Sequence, residues 1–425
     1  MSEVRWQIKS LSELGRFSRG KSKHRPRNDK KLFTNGTYPL IQTGDIKNSN
    51  LYVTKNSDYY NEFGLSQSKL WKQGTLCITI AANIAETAIL SYPMCFPDSV
   101  VGFNAHKNES SELFVYYVFE LIKKEIQKTS SGSIQDNINI DYLTKLKLKV
   151  PNKDYQDRIV NLLSTIDKKI LINNQINEEL EAMAKTLYDY WFVQFDFPDE
   201  NGKPYKSSGG KMVYNDQLKR EIPEGWGVKQ LGEICEFRNG INYEKSETGD
   251  TLSKIVNVRN ISNSSTFVTT HDLDSIALDR RRIESYLVTD RTILITRSGI
   301  PGATRIVSDI PANTIYSGFI IGATVANLNL FYYVFYHLKN IEMLMSNQSA
   351  GTIMKNISQT TLSEIRIAIP NKEIQKVFSN QVRSLLDVIK NNLKQNQELT
   401  QLRDWLLPML MNGQVKVEEN FRGVK

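Results

Sequence analysis

Trp6–Gly20 reads WQIKSLSELGRFSRG, and Trp226–Gly240 reads WGVKQLGEICEFRNG. Trp6, Lys9, Leu11, Glu13, Phe17 and Gly20 recur as Trp226, Lys229, Leu231, Glu233, Phe237 and Gly240, each 220 positions on. Six identities in fifteen positions at one offset mark an internal duplication. Further out, Ser131-Gly132-Ser133-Ile134 with Asn137-Ile138 returns as Ala350-Gly351-Thr352-Ile353 with Asn356-Ile357. Pro151-Asn152-Lys153 with Gln156 returns as Pro370-Asn371-Lys372 with Gln375, now 219 apart. The interiors agree only in pattern: Thr75–Thr79 (TLCIT) and Thr292–Thr296 (TILIT) are each an apolar run before a loop. A solenoid or propeller repeat is only about 20–50 residues long, so each copy here is a whole domain followed by a helix.

Within each copy, strands are predicted over Thr75–Ile80 and Lys145–Val150, and over Thr292–Thr296 and Glu364–Ile369. A helix precedes the last strand, near Glu112–Lys128 and near Leu328–Met345, which gives an α+β domain. Pro198–Gly225 is rich in Gly, Pro, Ser, Lys and Asp without apolar periodicity and reads as a surface linker. The expected division is 1–151 as a first globular domain, 152–195 as a central helix and 196–225 as linker. It continues with 226–370 as a second globular domain, 371–412 as a C-terminal helix and 413–425 as a tail.

From Gln156 to Phe192 there is no proline or glycine. Apolar residues recur at spacings of four and three: Ile159, Leu163, Ile166, Ile170, Leu180, Ala184, Leu187, Trp191. The 219 offset maps these onto Phe378, Val382, Leu385, Ile389, Leu399, Arg403, Leu406 and Leu410, and maps Asn173 and Asn177 onto Asn392 and Asn396. A seam asparagine is tolerated where a matching partner meets it, which fixes register. The expectation is an antiparallel coiled coil with Asn173 facing Asn396 and Asn177 facing Asn392. Ile170 then meets Leu399, Leu180 meets Ile389, Ala184 meets Leu385 and Trp191 meets Phe378, with Ile166 opposite Arg403 as the one poor match. The alternative is that each helix packs on its own domain. At ~1.5 Å per residue the first helix is roughly 55 Å long. Such pairing would set the domains at opposite ends about a pseudo-two-fold axis, suited to two half-sites with an unread spacer.

With 425 residues, 40% hydrophobic and 24% charged, the chain has the composition of a folded protein of more than one domain. No apolar run approaches the ~18 residues of a membrane helix, and Met1–Arg19 is polar and charged. Three dispersed cysteines, Cys77, Cys95 and Cys235, fit a reducing, cytoplasmic setting. A net charge of +8 favours a polyanionic partner.

Gly15-Arg16-Phe17-Ser18-Arg19-Gly20-Lys21-Ser22 matches the phosphate-loop pattern, but Lys23–Asp29 offers neither an apolar face nor a helix after it. The run Arg16, Arg19, Lys21, Lys23, His24, Arg25, Arg27, Lys30, Lys31 is instead a candidate phosphate grip or a solvated loop. Its counterpart is Arg280-Arg281-Arg282, with Arg297 and Arg305 flanking Ser298-Gly299-Ile300-Pro301-Gly302. Arginine suits guanine edges and Asn or Gln suits adenine, which adds Gln42, Asn83, Asn257, Arg259 and Asn260 as candidates. Four scattered histidines lack metal-ligand spacing, so no metal site is expected. Neither Pro97-Asp98 nor Pro198-Asp199 is completed by a nuclease triplet, and no N-P-P-Y or D-P-P-Y loop occurs, so no catalytic residue is expected.

These features resemble the specificity subunits of type I restriction-modification systems. The resemblance rests on the duplicated layout and on Leu180–Phe197 (LEAMAKTLYDYWFVQFDF). It extends to Glu221–Trp226 (EIPEGW) with Leu231-Gly232-Glu233-Ile234, and to Leu406–Gly413 (LLPMLMNG). It spans nearly the whole chain and departs at Pro151–Gln156 (PNKDYQ) and Pro370–Gln375 (PNKEIQ), where the family often has P-P-L-x-E-Q. The resemblance implies a non-catalytic subunit whose two target-recognition domains each read one part of a bipartite, asymmetric site in double-stranded DNA. It implies helices that bind two adenine-methyltransferase subunits, with restriction and translocase subunits joining them. S-adenosylmethionine, ATP and Mg²⁺ would then belong to those partners. Two other readings stay open: a self-contained enzyme that cuts or modifies DNA, and a coiled-coil adaptor that does not touch DNA.

Overall fold

The runs TLCIT and TILIT become central strands of two like-ordered sheets. In the computed structural model, residues 4–131, 140–244, 246–347 and 357–418 are described, so the repeated motifs at 132–138 and 350–356 lie outside the described residues. The chain forms two units, residues 1–172 with 395–425 and residues 173–394. In the first, five strands run in the order Gly15–Arg19, Val100–Ala105, Leu76–Thr79, Thr87–Leu90, Tyr52–Val53. The second repeats the order with Cys235–Asn239, Ile320–Val325, Thr292–Thr296, Thr304–Val307, Phe267–Val268. Pairing is antiparallel except at the last strand, which is parallel to its neighbour in both. All residues of both central strands are buried, as expected of continuous apolar runs.

Each unit also joins its start to its end. Trp6–Ser10 pairs with Lys147–Pro151, and Gly227–Gln230 pairs with Arg366–Ile369. Helices Glu112–Ser131 and Leu328–Asn347 supply rows of buried aromatics to their respective cores, Phe114 to Phe119 and Phe331 to Tyr336. The copies part in their accessory sheets. The first unit adds four strands in the order Asp58–Tyr60, Tyr38–Leu40, Met94–Cys95, Leu70–Trp71, and the second adds three, Asp274–Leu278, Thr251–Val256, Thr314–Tyr316.

The two long helices, here called rods, span Lys153–Tyr188 and Lys372–Asn412. In the second unit Asn392 Nδ2 donates to Asn177 Oδ1 at 2.9 Å, and the Trp191 and Phe378 rings lie 5.8 Å apart. Numbers rise along one rod as they fall along the other, so the rods run antiparallel there. The first unit shows the same sense: Arg403 Nη1 donates to Asp167 Oδ1 at 2.8 Å, and the Val417 N–H donates to the Tyr155 hydroxyl at 3.0 Å. Buried Ile159 and Leu163 share a core with Leu410 and half-buried Leu406, while Ile170 and Leu399 are half-buried. Ile166 stays buried because Arg403 turns its charge to neighbouring Asp167. In the second unit Leu180, Ala184, Leu187 and Trp191 pack in one cluster with Phe378, Val382, Leu385 and Ile389. Asn173 is buried.

Two expectations are revised. The buried stripe is wider than a coiled-coil seam, since Tyr155, Val160, Leu386 and Met411 are buried too. Within each unit both rods therefore pack on the globular domain as well as on each other. The segment 196–225 is also more than a linker: Met212–Asn215 and Arg220–Pro223 form a hairpin, and Phe197 stacks on Tyr205 at 4.7 Å and on Trp226 at 5.1 Å. A π-helical turn, Asp189–Val193, ends the first rod and buries both Trp191 and Phe192. The second rod ends at Gly413, whose φ of 75° is the left-handed value glycine accepts freely.

Candidate nucleic-acid interface

Each unit carries one loop locked by one threonine. After Leu76–Thr79, Thr79 Oγ1 donates to the Asn83 carbonyl and accepts from the Glu86 N–H at 2.9 Å. The Ala85 N–H closes the loop on the Thr79 carbonyl at 2.9 Å. After Thr292–Thr296, Thr296 Oγ1 donates to the Ile300 carbonyl and accepts from the Ala303 N–H at 3.0 Å, and the Gly302 N–H reaches the Thr296 carbonyl at 2.9 Å. Left-handed backbone falls at Ala82 and Ala85 (φ 60° and 59°) and, 217 positions on, at Gly299 and Gly302 (φ 84° and 86°). Glycine takes this conformation at no steric cost, whereas alanine pays roughly 1 kcal/mol, so the first loop is held against local preference.

A five-residue helix lies beside each loop, Thr43–Lys47 in one unit and Val258–Ser262 in the other. Lys47 Nζ donates to Asn83 Oδ1 at 3.2 Å, and a Cβ on Gly299 would touch Val258 Cγ1 at 3.4 Å. Both helices start alike: Asp45 accepts the Gln42 N–H at 2.7 Å, and Asn260 Oδ1 accepts the Asn257 N–H at 2.8 Å.

Three arginines of the first unit's basic run turn to Asp98, while His24 lies 2.8 Å from Asp29. Arg27 meets Asp98 at 2.6 Å, Arg25 lies 3.7 Å from it, and Arg19 Nε donates to its carbonyl at 2.8 Å. Lys21 and Lys23 are exposed and make no ion pair among the described residues. Gln42 is exposed, and Asn83 is half-buried at the loop. The phosphate-loop pattern is a strand, Gly15–Arg19, with no helix after it in 20–29.

In the second unit Arg259 pairs with Asp274 at 2.6 Å, and Asn257 Nδ2 donates to the same carboxylate at 3.2 Å. Arg282 bonds Glu247, whose carboxyl it holds below the usual range, and also donates to the Asn242 carbonyl at 2.5 Å. Arg280 and Arg281 are exposed. Arg297 donates to the Gly318 carbonyl at 3.1 Å, the position 220 beyond the Asp98 carbonyl that Arg19 holds. Two candidates are corrected. Arg305 is 8% exposed on a fully buried strand, bound to Glu342 at 3.0 Å and to the Ser264 carbonyl at 2.7 Å. Asn260 is 7% exposed and spent on its helix cap and on the Asp272 carbonyl at 3.3 Å. Both hold the fold and present nothing outward.

Two exposed residues absent from the sequence candidates, Lys47 and Phe319, adjoin the loops. Phe319 is 65% exposed, and its carbonyl accepts the Arg297 N–H at 2.9 Å. The loops themselves carry a sequence signal in the TLCIT/TILIT match extended by one loop, where IAANIAE faces RSGIPGA at offset 217; Lys47 and Phe319 lie outside that stretch. Among the described residues no group of three His, Cys, Asp or Glu side chains is placed to hold a metal, and no helix is long and apolar enough to cross a membrane. The cysteines are buried, and burial pushes the Cys95 thiol up to about 11 and that of Cys235 up to about 12, so neither is a ready thiolate.

Residues 3–182 and 223–401 each match the family described as the type I restriction modification DNA specificity domain. The chain is 26% identical over 424 residues to the type I restriction enzyme MjaIX specificity subunit of Methanocaldococcus jannaschii, covering 97% of this chain and 94% of that one. It is 24% identical to the HindI specificity subunit of Haemophilus influenzae, covering 92% of this chain and 97% of that one. The fold is similar to the crystal structure of a type I restriction-modification S subunit from M. genitalium, with a TM-score of 0.57 and 17% identity over 96% of this chain and 97% of the other.

Proposed function

Because the chain belongs to the type I restriction modification DNA specificity family, we propose that it is the non-catalytic subunit that selects the DNA sequence on which a methylation and restriction complex acts. One observation carries this reading. The chain holds two copies of one five-stranded frame whose accessory sheets differ, four strands against three. A shared frame with unlike accessories suits a reader of two unlike half-sites. The sheet duplication and the rods are the protein's own; methyl transfer and strand cleavage fall to partner subunits. In the fuller form of the proposal, the rods space the two readers and dock two methyltransferase subunits, and the complex works in the cytoplasm. Exposed Lys21, Lys23, Arg280 and Arg281 supply phosphate contacts, which position the duplex without reading it.

The test is genome-wide mapping of methyladenine in cells with and without this gene. Loss of methylation at one bipartite motif is expected, and an unchanged map in cells that carry the methyltransferase gene would overturn the reading. With the assembled complex, duplex affinity should fall steeply between about 50 and 200 mM salt, since each neutralised phosphate releases a counterion.

A further inference from the structure

We propose that the two threonine-locked loops, residues 80–85 and 297–302, are the base-reading elements, with Asn83 reading in one half-site and Ile300 with Phe319 in the other. This rests on the specificity reading above and adds which residues choose the bases.

A reader needs a frame that places it the same way every time and a tip free to differ. The frame is duplicated atom for atom: a threonine hydroxyl bridges the same two backbone groups, and the same two residues take left-handed backbone. The tips differ completely, Ala81-Ala82-Asn83 against Ser298-Gly299-Ile300. In the first unit Ile80 and Ala85 tie the loop into the core, while exposed Ala82 holds the tip in a conformation that glycine fills more cheaply.

The chemistry of each tip points to a different contact. Asn83 presents an amide, whose donor and acceptor match the N6 and N7 edge of adenine. Lys47, 3.2 Å from the Asn83 oxygen, orients that amide and keeps a cation for the neighbouring phosphate. In the second unit the outward groups are apolar: Ile300 is 49% and Phe319 is 65% exposed. Large apolar side chains on a surface cost solubility and contribute little to folding, and beside DNA they serve as contacts to thymine methyls or as wedges at a flexible base step. The Arg297 N–H holds the Phe319 carbonyl at 2.9 Å, so the exposed ring is anchored to the base of the second loop. The clusters on Asp98, Glu247 and Asp274, by contrast, hold arginines already paired with acids.

The experiment uses the complex of this chain with its methyltransferase partner. A pool of randomised duplexes is selected by binding, and the enriched sequences are read. The wild type should enrich one bipartite motif. Asn83→Ala should cost about five- to hundred-fold in discrimination at one or two base pairs of one half-site, with the other half unchanged. Phe319→Ala, a truncation on the surface, should relax only the opposite half-site. Lys21→Ala should weaken binding to all sequences equally. An unchanged motif in both loop variants, or an equal blurring of both halves, overturns the proposal. Should Asn83→Ala fail to fold, Phe319→Ala decides alone. A wild-type complex that enriches no bipartite motif would instead sink the specificity reading itself.

Discussion

The rod contact of the first unit and that of the second occupy equivalent positions and use opposite chemistry. In the first, Asp167 accepts from Arg403 at 2.8 Å and from the Tyr117 hydroxyl at 2.5 Å, all three largely enclosed. At the positions 219 removed, the second unit has Leu386, Ala184 and Tyr336, the first two fully buried. Glu120, whose carboxyl burial pushes up, likewise answers to Lys339, whose amine burial pushes down to about 8. The lesson is that duplication preserved the antiparallel register while letting each contact evolve its own partners. A segment of one contact cannot replace its counterpart, since it would bury a charge against leucine.

The comparison can be broken in order of size. Phe378→Ala should cost the second unit about 3–5 kcal/mol, because its ring is fully buried against Trp191, Phe192 and Tyr188; denaturant melts that keep the wild-type midpoint would refute this. Asp167→Ala should cost the first unit about 3 kcal/mol by leaving Arg403 with exposed Asp404 alone and the buried Tyr117 hydroxyl without its acceptor. Installing the second unit's chemistry, Asp167→Leu with Arg403→Ala, should recover most of that loss, and a double variant no better than the single would show that the ion pair is not the cause.

A smaller effect separates the units by pH. His337 is largely enclosed, its Nδ1 lies 3.0 Å from the Tyr188 hydroxyl, and burial drives its pKa down to about 4. The unfolded ring takes a proton near 6.5 and the folded one only near 4, so the second unit loses stability as pH falls through that window. The first unit has Val118 at that place. His337→Val should flatten the melting temperature between those values, and an unaltered slope would assign it to other groups. Smallest is Asn392→Ala, which strands the Asn177 amide at a cost of about 1–2 kcal/mol, read from the same melts.

What the sequence made legible follows from how local each cause is. The rods and central strands announce themselves because their burial repeats every three to four residues or runs unbroken through TLCIT and TILIT. The hairpin at 212–223 was hidden because its anchors, Phe197, Tyr205, Ile222 and Trp226, are sparse among polar residues. The interface was harder still. Whether an arginine faces DNA or an acid is settled by a residue far along the chain, as Glu342 settles Arg305 and Asp98 settles Arg27. The loops were within reach, but only by aligning the copies one element further than their strands.

The antiparallel register underlies every comparison between the units, and it can be measured directly. Asn177→Cys with Asn392→Cys, treated with a short thiol-bridging reagent under native conditions, should give one intrachain bridge and a faster band on non-reducing gels. Asn177→Cys with Ser384→Cys should give none. Bridging of the second pair and not the first would place the rods in another register and contradict the account.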